Sequence, residues 1–278
     1  MAISPIKKGY SVILDTMGVP MNIKKPVACA LFATLILSFT AAQSKNAVLV
    51  SLDWPPYIGS SIKDGNPAVP NFGYVSELVT AAFKEGGYEL RTDFKPWERA
   101  LHEATIGIYD GLFPEYFSSE REKDFVYSDA FPGGPVGLMR RSEKNIAFKT
   151  LRDLAPYTIG IVSGYINTDE FDAATWLKKD PAVDDETNIR KLMGKRLDLI
   201  FIDRYVGEYL IETKFPELKG KLVFIEPGLE VKPLYIVFSR KAKDYETKLK
   251  AFNTGLAKLK ATGKIEAIMR AHGFEPSK

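Results

Sequence analysis

The chain has little sulfur and little imidazole. Cys29 is its single cysteine, so no internal disulfide can form, and His102 and His272 are its only histidines. No Cys/His cluster exists from which a zinc site could be built, and no metal or other cofactor is expected. A G-x-S-x-G nucleophile elbow is absent and neither histidine has a recognisable nucleophile nearby, so hydrolase chemistry has little support. Low-complexity segments and short repeats are missing too. With 21 Gly and 17 Pro in 278 residues, near average usage, neither a collagen-like nor a linker-dominated architecture is available. What remains is 45% hydrophobic and 26% charged residues, the make-up of a well-packed protein with one large domain or two small ones.

The N-terminus is distinct from the rest. Residues 21–42 read MNIKKPVACALFATLILSFTAA: a basic start at Lys24 and Lys25, an apolar run from Val27 to Phe39, then small residues around Thr40-Ala41-Ala42. This is the three-part layout of a secretory signal peptide, with cleavage expected after Ala42. The apolar run is 13 residues, and a bilayer span needs about 20, which argues against a permanent anchor. Cys29 sits near the front of that run instead of behind it, unlike a lipoprotein cysteine. Residues 1–20 are then either an extended basic leader or lie upstream of a true start at Met21. Export from the cytoplasm is the expectation.

Removing residues 1–42 takes away four lysines and one aspartate, leaving 34 basic and 34 acidic side chains. The mature chain is neutral, so the basic footprint that nucleic-acid binding requires is missing. The lysine-rich stretch from Arg240 to Lys264 carries Leu249, Phe252, Leu256, Leu259, Ile265 and Ile268 at helical spacing, which reads as a solvated helix face over an apolar one.

Along the mature chain, AVLVSL (Ala47 to Leu52) is a buried strand that stops at Asp53-Trp54-Pro55-Pro56-Tyr57. Tyr74 to Glu85 is an amphipathic helix closed by Gly86-Gly87, followed by a strand over Tyr88 to Phe94 and a helix from Trp97 to about Thr105. Gly111 to Phe113 is a short strand and Ser118 to Arg121 begins a helical turn. Pro132-Gly133-Gly134-Pro135 is the densest cluster of breakers and marks a lobe boundary. Beyond it come strands at Val136 to Met139 and Tyr157 to Val162, a helix from about Thr168 to Leu177, and another around Asp185 to Met193. A strand over Asp198 to Ile202 ends at Asp203, a helix runs from Arg204 to about Thr213, and Leu229 to Pro233 crosses back. This alternation predicts α/β lobes with mostly parallel sheets, 43–134 with 233–278 as one lobe and 135–232 as the other. Ligands of open α/β sheets bind at strand C-terminal ends, which here face a cleft between the lobes.

Trp54-Pro55-Pro56-Tyr57, Gly73-Tyr74, Glu120-Arg121 with Tyr127-Ser128-Asp129, Ile159 to Gly164 and Asp198 to Asp203 occur in this order over nearly all of residues 45–275. In that order and spacing the chain resembles the bacterial extracellular solute-binding proteins of family three, which include the polar amino-acid receptors of ABC importers. The resemblance implies a two-lobed, type II periplasmic-binding-protein-like α/β fold, each lobe a mostly parallel sheet flanked by helices, joined by two crossings. It implies a monomer that captures a small amino acid, carboxylate or zwitterion and delivers it to an inner-membrane permease, without catalysis.

The resemblance also assigns roles. Arg121, seven residues before Ser128, matches the arginine that holds the ligand carboxylate, a task suited to a planar guanidinium fork; the alternative is a surface arginine paired with Glu120, Glu122 or Asp124. Asp203 matches the acid that binds the α-amino group, or is simply the N-cap of the following helix. Trp54 matches an aromatic cover or packs on its lobe, and Tyr57 leans towards packing. Gly164-Tyr165 lies where the family receives a carboxylate on backbone N–H groups at a helix start, although Tyr165 replaces the usual small hydroxyl residue. The stretch DGLFPEYFSSER is one residue shorter than the common pattern and puts Phe113, Pro114 and Tyr116 where small polar residues usually meet the amino group. A more aromatic pocket follows, in which Glu115 could serve a cationic ligand. Trp97 lines the site or, more simply, fills the lobe beneath it. Two other functions stay open: a cyclohexadienyl dehydratase-like enzyme with Glu115 as the acid, and a soluble sensory receptor.

Overall fold

The computed structural model describes residues 45–59 and 73–275, all within one compact unit, Gln43–Lys278. The signal peptide expected at 21–42 and the leader before it lie outside the described residues. β1 (Lys45–Ser51), α1 (Tyr74–Glu85), β2 (Tyr88–Phe94), α2 (Trp97–Thr105) and β3 (Gly111–Glu115) follow the order expected from the sequence. β1 is the central strand, parallel to both β2 and β3, because helices α1 and α2 carry the chain back to the same edge each time. The short β4 (Phe125–Tyr127) leads into β5 (Phe131–Arg141).

The second set comprises β6 (Thr158–Val162), α3 (Asp169–Ala173), β7 (Lys178–Ala182), α4 (Asp185–Met193), β8 (Leu199–Asp203), α5 (Arg204–Thr213) and β9 (Leu222–Phe224). β6 lies between β7 and β8, parallel to both, and β5 runs antiparallel to β8 and β9. β10 (Glu230–Ser239) joins the sets: its first half pairs antiparallel with β5 and its second half with β3 and β4. The strand order is therefore β2-β1-β3-β10-β5-β8-β6-β7. The chain closes with α6 (Tyr245–Ala261) and α7 (Lys264–Ala271). None of the helices among the described residues is long and apolar enough to cross a membrane.

Two expectations need correction. The strand expected over Val136 to Met139 begins earlier, since β5 runs straight through Pro132-Gly133-Gly134-Pro135, and Pro135 and Gly134 stand opposite Val231 and Lys232 of β10. A two-strand crossing needs few ladder bonds, so prolines without N–H groups are tolerated there. The helix expected over Thr168 to Leu177 is only one turn, Asp169–Ala173, and β7 follows it. β7 reads KKDPA and sits at the sheet edge with only Ala182 buried, so it carries no apolar alternation to betray it.

The lysine-rich C-terminal stretch folds as two helices whose apolar row faces inward. Phe252, Leu256, Leu259, Ile265 and Ile268 are buried, while Lys250, Lys258, Lys260 and Lys264 remain exposed. α6 packs on α1 at glycine contacts: a Cβ at Gly255 would overlap the Ala82 carbonyl oxygen, and one at Gly86 would overlap that of Ala251. Because backbone stands on both sides of the Gly255 contact, the helices would have to move apart. Gly255→Ala is expected to destabilise the protein by about 1–3 kcal/mol, read as a lowered urea midpoint with unchanged slope; an unchanged midpoint would show that this helix pair is not closely packed.

Candidate functional site

The site forms where the loop after β1, the end of β3 and the end of β8 converge. Asp203 ends β8 and starts α5, and its two oxygens have different duties. Oδ1 accepts from the backbone N–H groups of Tyr205 (2.9 Å) and Val206 (3.2 Å), capping the helix. Oδ2 accepts from the hydroxyls of Tyr57 (2.9 Å), in the loop after β1, and Tyr116 (3.2 Å), just after β3. Cap and cleft group thus coexist in one carboxylate. Burial pushes Asp203 up to about 7, and the hydrogen bonds from Tyr57, Val206, Tyr116 and Tyr205 oppose that rise.

Glu115, the last residue of β3, is 3% exposed. Its Oε1 accepts from the Tyr116 N–H at 3.0 Å. Its Oε2 lies 3.3 Å from Arg121 Nε, an ion pair in which neither atom has hydrogen-bond geometry. Burial pushes Glu115 up to about 7, with Arg121 the largest opposing influence. Lys232 of β10 stands over the Tyr116 ring, 5.4 Å from its centroid.

Arg121 begins a 3₁₀ turn, Arg121–Lys123, and its Nη2 donates to the Gly164 carbonyl at 2.7 Å. Trp97 Nε1 donates to the same oxygen at 2.9 Å. Trp97 therefore reaches the cleft as well as filling the lobe. Gly164 has φ of +74°, a left-handed conformation suited to glycine. The Tyr165 N–H donates to Val162 O at 3.2 Å, and α3 begins only at Asp169, under a Thr168 cap. Gly164-Tyr165 is thus a turn, not a helix start.

Aromatic rings fill the space between these groups. Trp54 stacks on Tyr57 at 4.7 Å and 18°, and meets Tyr116 and Tyr165 edge-on at 6.0 and 6.5 Å. Tyr165 also meets Trp97 edge-on at 5.6 Å. The space left among Trp54, Trp97, Glu115, Tyr116 and Tyr165 is about 20 Å³, room for about one water. Beside it opens a larger pocket of about 770 Å³, reached past Trp54, Trp97 and Tyr165.

That pocket includes a residue the sequence reading passed over. Asp185, the first residue of α4, is 6% exposed, and burial pushes it up to about 7, with the Trp54 indole opposing and Asp203 and Asp184 adding to the rise. Asp184 already caps α4 by accepting from the Thr187 N–H at 2.7 Å. The adjacent acidic pair was the available signal, since one helix start needs only one cap. Among the described residues, no group of His, Cys, Asp and Glu could hold a metal ion.

Neither a protein-family model nor a curated protein matches the sequence. Solved structures do match. One is a histidine kinase sensor domain with similarity to periplasmic binding proteins, at TM-score 0.72 and 21% identity, covering 84% of this chain and 99% of that one. Another is the amino acid ABC transporter substrate-binding protein AbpA from Streptococcus pneumoniae bound to L-arginine, at TM-score 0.67 and 19% identity, covering 82% and 94%. A mutant of ArgBP from T. maritima matches at TM-score 0.66 and 19% identity, covering 82% and 95%. The fold is that of the periplasmic binding proteins. Sensory and transport proteins share it, so the scaffold alone does not choose a function.

The three buried carboxylates give a testable sign. Glu115, Asp185 and Asp203 have folded values near 7 and ordinary values near 4 when unfolded. Between about pH 4 and 7 the folded chain binds more protons, so stability falls as pH rises through that window. Even about 2 kcal/mol of this penalty lowers Tm by roughly 4–8 °C in a chain of this size. Scanning calorimetry is expected to give a lower Tm at pH 8 than at pH 5, and the reverse order would show these carboxylates to be well compensated when ionised.

Proposed function

We propose that the chain is a periplasmic solute-binding protein that captures an amino acid or related zwitterion between two lobes and delivers it to an ABC-type permease. Residues 43–134 with 233–278 form one lobe and 135–232 the other, and β5 with β10 is the hinge between them. The protein acts as a monomer, is exported by the signal peptide at 21–42, and carries out no catalysis. Its binding residues are Arg121, Asp203, Trp54, Tyr116, Glu115, Gly164 and Tyr165, to which Tyr57, Trp97 and Asp185 are added.

One observation carries this reading: the Gly164 carbonyl on the 135–232 side receives two donors, Arg121 Nη2 and Trp97 Nε1, from the other side. Tyr57 and Tyr116 reach Asp203 across the same gap. These contacts form when lobes close and break when they open, the behaviour of a hinged capture protein. The solved-structure neighbours that are amino-acid substrate-binding proteins agree with it. Glu115, already ion-paired with Arg121, is poorly placed to be the free acid that a dehydratase would need.

A thermal-shift screen against amino acids, amines and small carboxylates tests capture directly. A solute at 100 times its Kd adds about 2.7 kcal/mol, or roughly 5–10 °C at this size; no shift from any of the three classes would refute the reading. Arg121→Ala removes one of the two donors to Gly164. Solution scattering without solute is expected to show a larger radius of gyration for this variant, and an unchanged radius would mean the contact does not hold the lobes closed.

A further inference from the structure

The cleft is better equipped for positive charge than for a carboxylate. Asp185 is a buried carboxylate, and no basic side chain pairs with it among the described residues. A buried anion without a counter-charge is costly, and a ligand cation beside it would remove that cost. The rings of Trp54 and Tyr165 line the same pocket, and indole is the best of the aromatic faces for an organic cation. Among the other charged residues that line the pocket, Asp53, Asp184 and Glu186 outnumber Lys95 and Lys214, a balance that draws cations in. Its volume of about 770 Å³ is in the range of small-molecule sites.

The groups that the resemblance assigns to a ligand carboxylate are engaged elsewhere. Arg121 has Nε against Glu115 and Nη2 on the Gly164 carbonyl. The Tyr165 N–H is used within its own turn. The positive end of α4 is occupied by the chain's own Asp184, Asp185 and Glu186, which satisfy its dipole and repel a second anion.

We propose that the solute is an organic cation, an amine or guanidine, seated against Asp185 in the pocket that Trp54 and Tyr165 line, and that its binding does not require a carboxylate. This rests on the solute-capture reading and narrows it to a chemical class.

Calorimetric titration of the purified protein with agmatine, L-arginine and L-glutamate tests it, because agmatine is arginine without its carboxylate. Agmatine is expected to bind within about tenfold of L-arginine or more tightly, and L-glutamate not at all. Asp185→Asn should weaken agmatine by about 30-fold or more, as expected when a buried charge pair loses one partner. Trp54→Leu should weaken it by roughly 2- to 30-fold, the range of a cation–π contact. L-arginine binding more than tenfold tighter than agmatine would overturn the proposal, as would an unchanged affinity in a folded Asp185→Asn variant. The comparison of agmatine with arginine needs only the wild-type chain, so a variant that fails to fold does not remove the test. Tight binding of L-glutamate would sink the cation inference and leave solute capture standing. Failure of all three ligands, and of the wider screen, would sink both.

Discussion

The carboxylate of Asp203 is the point on which the cleft depends. Four donors from three parts of the chain meet it: two backbone N–H groups of α5 and the hydroxyls of Tyr57 and Tyr116. Each tyrosine is held because its oxygen has nowhere else to go in an apolar surround, and Trp54 is held because it stacks on Tyr57. The arrangement also constrains β5. A Cβ at Gly134 would overlap the Tyr57 hydroxyl and crowd Tyr205 and Asp203 Oδ2. The glycine in the crossing strand is therefore a space requirement of the cleft and not a chain break.

Filling a binding cleft with its own aromatic rings has an energetic consequence. Aromatic pairs are worth about 0.5–1.5 kcal/mol each beyond area burial, and Trp54, Tyr57, Tyr116, Tyr165 and Trp97 are linked through several. A solute entering the centre must first displace these contacts. Its apparent affinity is then its intrinsic affinity reduced by the fraction of molecules already open. A solute that keeps the rings in use as walls loses less than one that pushes them aside, and a flat or positively charged group does the former.

Much of the scaffold was legible because local rules and tertiary packing agree along it. α1, β2, α2, α4 and α5 occupy the ranges read from apolar periodicity, glycine stops and acidic helix starts. β7 and β9 were not legible, since a polar edge strand and a three-residue strand carry too few apolar positions to show a period. Among site residues, Asp203 could be read as cap or as cleft group, and only the positions of Tyr57 and Tyr116 reveal that it is both. Asp185 was invisible for a related reason. An acidic residue in the first turn of a helix is ordinary in sequence, and what makes this one unusual is its burial in a pocket shared with Trp54, from a segment more than a hundred residues away.

The pairing of Arg121 with Glu115 bears on selectivity. An arginine facing an open cleft can exchange water for a ligand carboxylate at modest cost, whereas Arg121 already has Glu115 Oε2 at 3.3 Å and a backbone carbonyl at 2.7 Å. A ligand carboxylate competing for that guanidinium would have to approach Glu115, which is buried and negative when ionised, and like charges brought together in a site of low polarity repel strongly. Lowering the pH would ease that conflict by neutralising Glu115. Under the cation proposal, the repulsion at neutral pH and above falls on the carboxylate end of a zwitterion alone, while Asp185 and the indole of Trp54 would complement its amino end. The two ends of an amino acid would then be treated unequally, the cationic end being the one that the charges and rings of this pocket favour.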